Sequence, residues 1–180
     1  MPTVFATPWF SIEEMDAGMA APFHRVVGPD GVMCMVLTEA GEVVLVRQFR
    51  PAIQAVTLEF PAGGLEAGET PDQAMAREIL EETGYRCRTL VRLGGGCLSP
   101  NRLSNHETFF LGTGARPVPD HRPESGAEVV VMTRPALRDL ILEDEFVQSA
   151  ALVIVGLAEI RLGCRLFEDT VERIEARVRP

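Results

Sequence analysis

The stretch that decides the fold is GGLEAGETPDQAMAREILEETGY, residues 63–85. Thr70 and Gln73 have the spacing of a capping box, Pro71 suits the first helical position and Gly84 suits a left-handed stop, so the stretch predicts a helix over residues 71–83. At about 100° per residue, Met75, Ala76, Ile79 and Leu80 share one sector and Glu78, Glu81 and Glu82 another. One face is for a core, the other a carboxylate cluster. Three carboxylates within a turn repel one another, and Arg77 can compensate Glu81 but not all three. Hard oxygen ligands in such a cluster suit Mg²⁺; a solvated acidic face is the alternative that the glutamates alone leave open.

Upstream, GVMCMVLT and EVVLVRQF flank Glu39-Ala40-Gly41, which predicts a β-hairpin over residues 31–49. A third run, residues 56–60, leads through Pro-Ala-Gly-Gly into the helix. Downstream, strands are expected at residues 88–93, 107–111 and 127–132. The loops between them, GGGCLSPNRLSNH and GTGARPVPDHRPESG, are candidate substrate walls. Thr133 is a plausible N-cap for a helical remainder, with an apolar helix over residues 146–160 and a tail in which Val171, Ile174 and Val178 fall on one face. The first 25 residues read as irregular and carry Trp9, Phe10 and Phe23.

Composition limits the classes of function. A chain of 180 residues with 46% hydrophobic and 24% charged residues can build one ordinary core. Its mean hydropathy is +0.10. The net charge of −9 disfavours a polynucleotide partner. All 17 basic residues are Arg, which excludes lysine Schiff-base and P-loop lysine chemistry. Cys34, Cys87, Cys97 and Cys164 form no C-x-x-C pair, which fits a reducing cytoplasm better than a zinc ribbon or a disulfide scaffold. The N-terminus lacks a signal pattern and the longest apolar run, residues 150–158, is about half a membrane span, so a soluble, unprocessed cytoplasmic protein is expected.

The spacing Gly63, Glu69, Arg77-Glu78-Ile79, Glu81-Glu82, Gly84 resembles the Nudix box, G-x5-E-x7-R-E-U-x-E-E-x-G-U, with Tyr85 standing where an aliphatic is usual. The resemblance implies an α/β fold, a mixed β-sheet sandwiched between helices, and hydrolysis of a nucleoside diphosphate linked to another moiety with Mg²⁺ (or Mn²⁺). It implies metal ligation by Glu78 and Glu82, with Glu81 as a further ligand or a water-activating base and the Ala62 carbonyl as an added ligand. Gly63, Glu69, Arg77 and Gly84 become structural members of the box, the Glu69–Arg77 pair orienting loop against helix.

The flanks VRQFRP (residues 46–51) and LEFPAGG (residues 58–64) resemble the ADP-ribose pyrophosphatase and nucleotide-sugar branch of that family, over residues 31–160 or so. That resemblance implies ADP-ribose as substrate, with GDP-mannose or another nucleotide-sugar as the alternative. It places Arg50 on the substrate phosphates and Glu59 in the site, and gives Pro100 a role in the substrate loop, although Asn101-Arg102 replaces the branch's glycine. A base from outside the box would be Glu124 or, second, Glu128; His24, His106 and His121 carry no catalytic signal. Trp9, or Phe10, would stack the nucleobase from an arm, residues 1–25, ahead of the catalytic domain, residues 26–180. Core anchoring is the competing role for those aromatics. The resemblance further implies a homodimer in which the arm reaches the neighbouring site. The rival function is a non-catalytic nucleotide-sugar-binding module, which the presence of all four box glutamates disfavours.

Overall fold

The computed structural model describes residues 1–123 and 126–178. In chain order its elements are β1 (Thr3–Ala6), β2 (Ser11–Met15), β3 (Phe23–Val27), β4 (Gly31–Thr38), β5 (Val43–Arg50), β6 (Ala55–Glu59), β7 (Ala62–Gly64), α1 (Pro71–Thr83), β8 (Tyr85–Arg86), β9 (Thr89–Gly96), β10 (Glu107–Pro117), β11 (Ala127–Met132), α2 (Arg134–Leu142), α3 (Ala151–Leu162) and α4 (Val171–Val178).

The β4 run GVMCMVLT is apolar on both faces, and every one of its residues is buried. Such a strand needs cover above and below. It lies at the centre of a mixed sheet ordered β11-β5-β4-β10, with β9 on the far side of β10. The β4–β10 pair is parallel and the other ladders of the sheet are antiparallel. Met33, Met35 and Leu37 face one core with Leu137, Ile154, Ala158 and Ile174 from α2, α3 and α4. Val32, Cys34 and Val36 face the other with Ala74, Met75 and Ile79 of α1. The outcome is the expected sheet sandwiched between helices.

One irregularity of this sheet builds the site. β4 pairs with β5 only at Val36–Val44 and Leu37–Val43, while its first residues, Gly31 to Met33, pair with β7 instead. The sheet therefore splits, and β5 carries on with β6 as a separate hairpin, Val46–Arg50 against Ala55–Glu59. The split brings Arg50 and Glu59 beside the box glycines.

Three local expectations are corrected. The first 25 residues are not irregular: β1, β2 and β3 form an antiparallel sheet, joined to the rest by the Val26–Leu103 bridge. Their alternation was masked because neither face is fully buried, so no clean apolar-polar period exists. The apolar helix begins at Ala151 rather than Phe146, because Phe146 packs on Phe60 at 5.5 Å between centroids and the Gln148 Oε1 accepts from the Phe60 amide at 2.8 Å. Tertiary contacts hold residues 146–150 out of the helix despite their propensity. In α1, Ala76 is exposed and Ala74 buried, so the core stripe is rolled toward the N-terminal side of its expected position.

Candidate active site

Helix α1 starts and stops as its sequence dictates. The Gln73 amide donates to Thr70 Oγ1 at 3.3 Å, the Thr70 amide donates to Gln73 Oε1 at 2.9 Å, and Gly84 closes the helix at φ 70°. These caps fix the phase of the glutamates.

Arg77 is the organiser of the box. Its Nε and Nη2 donate to the two Glu69 oxygens at 3.0 and 2.9 Å, and Nη2 also donates to the Gly64 carbonyl at 3.0 Å. Its Nη1 donates to Glu78 at 2.8 Å and Glu81 at 3.0 Å. One guanidinium thus ties loop, strand β7 and helix together, using its planar fork as only arginine can. The hydrogen bonds from Arg77 and the Glu66 amide hold the Glu69 carboxyl below its ordinary range.

Glu78 is not on a solvated face. Its side chain is 13% exposed and lies across Gly63, where an added Cβ would stand 2.1 Å from the carboxyl carbon. The box glycine is therefore there to make room for a carboxylate.

Glu82 is the charge that Arg77 does not reach. It accepts from the Ala62 amide at 3.0 Å, and no guanidinium hydrogen-bonds it among the described residues. Burial pushes its pKa up to about 7, aided by the nearby negative charges of Glu78 and Glu59 and opposed by the Ala62 amide and Arg50. Among the described residues no three acidic, His or Cys side chains already surround a common point, since Arg77 engages Glu78 and Glu81. The donor set is all hard oxygen and includes a partly buried carboxylate, Glu82, that no guanidinium hydrogen-bonds among the described residues, which fits a divalent ion of the Mg²⁺ type.

A pH effect on stability follows. The folded Glu82 holds its proton more tightly than the unfolded one, so the native state binds more protons between pH 4.5 and about 7. Stability of the metal-free protein should fall as pH rises through that window, by up to the order of 3 kcal/mol. Denaturant titrations in chelator at pH 5 and pH 8 test this; a flat profile would show that Glu82 is neutralised within the protein.

The hairpin of β5 and β6 supplies the adjoining wall. Arg50 donates from Nε and Nη2 to the two Glu59 oxygens at 2.7 and 2.5 Å, and Thr57 donates to Glu59 at 2.6 Å. Burial alone would raise the Glu59 pKa, but the hydrogen bonds from Arg50 and Thr57 outweigh it and leave the carboxyl below its ordinary range. Glu59 is nearly buried, whereas Arg50 is 45% exposed, so the arginine is anchored through one edge and accessible at the other.

A cleft of about 380 Å³ joins these parts, lined by Arg50, Ala62, Gly63 and two residues that sequence reasoning missed, Gln148 and Glu107. Gln148 donates to Glu59 at 3.4 Å and falls within the helix expected over residues 146–160 but ahead of the observed α3. Glu107 stands directly across the parallel ladder from Gly31, where any side chain would collide with its carboxylate. Burial, followed by the charge of Asp30, raises its pKa. Its only sequence signal was a glycine opposite an acid, readable once the β4–β10 register is known.

Other expected site residues fall elsewhere. Pro100 lines a hollow with Phe23 and Arg102, while Leu98 of the same loop reaches the cleft. Trp9 is 76% exposed, so it does not anchor the core of its own chain. Glu128 pairs with Arg47 at 3.1 Å on the outer strand β11. Glu124 lies outside the described residues.

Fold and site together define a pyrophosphohydrolase. The NUDIX domain family matches residues 27–152. The chain belongs to the Nudix family. It is 30% identical over 128 residues to the ADP-ribose pyrophosphatase of Bacillus subtilis (strain 168), covering 71% of this chain and 69% of that protein. It is 35% identical over 138 residues to the ADP-sugar pyrophosphatase of Mus musculus, covering 70% of this chain and 63% of that one. A solved structure described as an ADP compounds hydrolase superimposes with a TM-score of 0.74 at 20% identity, over 90% of this chain and 91% of the other. That structural likeness bears on the fold alone. No helix among the described residues is long and apolar enough to cross a membrane.

Proposed function

We propose that the protein hydrolyses the pyrophosphate bond of a nucleoside diphosphate sugar, ADP-ribose to AMP and ribose 5-phosphate, with Mg²⁺ or Mn²⁺, in the cytoplasm. The observation that carries the reading is that an anchored but accessible arginine, Arg50, and Ala62 line one cleft, and that the amide of Ala62 holds the carboxylate of Glu82, whose charge no guanidinium hydrogen-bonds among the described residues. The names of the two pyrophosphatase relatives support the substrate class.

Glu78 and Glu82, with Glu81 and the Ala62 carbonyl, would hold the ion, which when bound neutralises pyrophosphate charge and lowers the pKa of a water. Arg77 fixes the carboxylates in place, and Arg50, held by Glu59, offers its free edge to a phosphate. Leu98 shields the cleft rim. Glu81, 41% exposed, is the box carboxylate best placed to exchange protons with solvent, and Glu124 keeps its role as an alternative base.

The test is turnover of a panel of nucleoside diphosphate sugars with product identification, in Mg²⁺, in Mn²⁺ and in excess chelator. ADP-ribose should give AMP and ribose 5-phosphate only with metal. A tenfold or greater preference in kcat/KM for GDP-mannose would replace the substrate and keep the class. Binding of all of them without turnover in either metal would make the chain a non-catalytic module.

Arg50→Ala should raise KM for ADP-ribose more than it lowers kcat, because a ground-state phosphate contact is lost. It also strands Glu59, so the variant should be less stable. Arg50→Ala with Glu59→Gln should recover stability and not KM. Recovery of both would mean that Arg50 serves only the fold.

The arm is read as a dimer element. Val4, Phe5, Trp9 and Phe10 are all exposed on β1 and the turn that follows it, an apolar surface that this chain leaves uncovered among its described residues. A homodimer that covers it, with Trp9 or Phe10 stacking the base in the neighbouring cleft, is the arrangement proposed. Deleting residues 1–20 should lower the dimer fraction in sedimentation equilibrium and raise KM together. A monomeric full-length protein with full activity would refute the shared site.

A further inference from the structure

The end of the sheet remote from the cleft carries a charge pattern that hydrolysis does not use. Gly31, at the cleft, and Thr38 are the two ends of β4, about 23 Å apart at roughly 3.3 Å per residue. Just past Thr38 a depression of about 460 Å³ is lined by Glu39, Arg86, Arg88 and Arg116, with Gly114 and Pro117 among its walls.

Arg86 of β8 and Arg116 of β10 are register partners in an antiparallel ladder, so their side chains leave the same face. Like charges directly opposite are unfavourable there, and the ladder has only one other pair, Pro117 with Tyr85, to offset them. Arg88 joins them through a bulge. Gly114 sits at φ 63° where the β10 register slips, and a Cβ on it would stand 2.8 Å from the Arg88 guanidinium carbon. The bare backbone lets that side chain lie across the strand.

The countercharge is incomplete. Glu39 takes Arg88 Nη1 at 3.3 Å and Arg116 Nε at 2.7 Å. Glu175 of α4 takes Arg88 Nη2. Arg86 has no ion pair among the described residues. Three guanidinium groups thus meet two carboxylates, of which only Glu39 lines the depression, in a chain of net charge −9, a local field opposite to that of the whole molecule.

We propose that this depression is a second binding site, for the phosphoryl group of a small molecule, with Arg86 and Arg116 as its clamp. Planar guanidinium pairs match phosphate oxygens bidentately, and a dianion between the two arginines removes their mutual repulsion. The volume exceeds that of a bare anion and lies in the range of small-ligand sites, so a phosphate monoester fits as well as free phosphate. Glu39 is the resident competitor, releasing its two arginines when the ligand arrives. The proposal is independent of the activity assigned to the cleft.

Isothermal titration of the full chain in chelator, with inorganic phosphate in one arm and AMP in the other, tests it. Saturable binding is expected, weakened by about tenfold or more in the double variant Arg86→Ala, Arg116→Ala. In Glu39→Gln it should tighten several-fold, because the internal competitor is gone; a merely structural residue would not strengthen binding when removed. Metal-dependent turnover in the cleft should stay at the wild-type rate in both variants. Equal binding in both arms means that the phosphoryl group alone is recognised; tighter AMP means that the walls hold the rest of the ester. Unchanged affinity in the double variant would overturn the proposal and place the ligand in the cleft. So would absence of tightening in Glu39→Gln, which reads the site even if the double variant folds poorly. Displacement of phosphate by a short DNA duplex of higher affinity would show a polyanion surface instead.

Discussion

Glu82→Gln should turn over at least about a thousandfold more slowly than the parent chain in Mg²⁺, and in metal-free buffer at pH 8 it should be the more stable of the two. Both effects come from one feature. The Glu82 carboxylate is partly buried, accepts an amide hydrogen bond from Ala62, and has its pKa raised to about 7 by that burial and by Glu78 and Glu59. Keeping it ionised at pH 8 costs on the order of 3 kcal/mol without a cation. A glutamine keeps the volume and the acceptor for Ala62 while it removes the charge, so the cost disappears with the ligand. Glu78→Gln should lose comparable activity without the gain, because Glu78 already has Arg77 at 2.8 Å and its charge is compensated. Paired measurements of kcat and of denaturant midpoint in chelator decide the matter. A Glu82→Gln protein that is both active and destabilised would mean that the carboxylate is a structural acceptor and no more.

Gly63→Ala should abolish most turnover, by about two to three orders of magnitude, while costing little stability. An alanine Cβ at this position would lie 2.1 Å from the Glu78 carboxyl carbon and from its Oε1, and 2.4 Å from Oε2. Backbone strain is not the cause, since Gly63 sits in β7 without a positive φ. The atoms that must move are the end of a flexible side chain, so the fold can yield by swinging Glu78 aside. What is lost is its position: Arg77 Nη1 then holds Glu81 alone, and the carboxylate pair of Glu78 and Glu82 is separated. A displacement of about 1 Å at a reacting centre is enough to cost a hundredfold. Circular dichroism and thermal melting should show a near-native protein. If activity is retained, Glu78 reaches its working position from another rotamer and the glycine reflects packing alone.

The sequence by itself determined most of the machinery that is local. Thr70, Gln73, Pro71 and Gly84 state the limits of α1 in residues that touch one another, and a capping box or a left-handed glycine needs no distant partner. The pairing of Glu69 with Arg77 was implied by the resemblance to the box, and the structure has it at 2.9 Å. The apolar runs flanking Glu39-Ala40-Gly41 announced the antiparallel pairing of β4 with β5.

What the tertiary structure alone decided depends on residues far apart in the chain. That Arg50 is anchored by Glu59 follows from the departure of β5 from β4, a register choice with no sequence signal of its own. Gln148 comes to Glu59 across 89 positions, and Glu107 to Gly31 through a parallel ladder, contacts whose partners no window of residues contains. The same holds for charge. Glu78, Glu81 and Glu82 are alike on a helical wheel, yet Arg77 hydrogen-bonds the first two and leaves the third, partly buried, to the Ala62 amide. Electrostatic work depends on burial and on where opposite charges come to rest, and both are fixed only when the chain has closed around them.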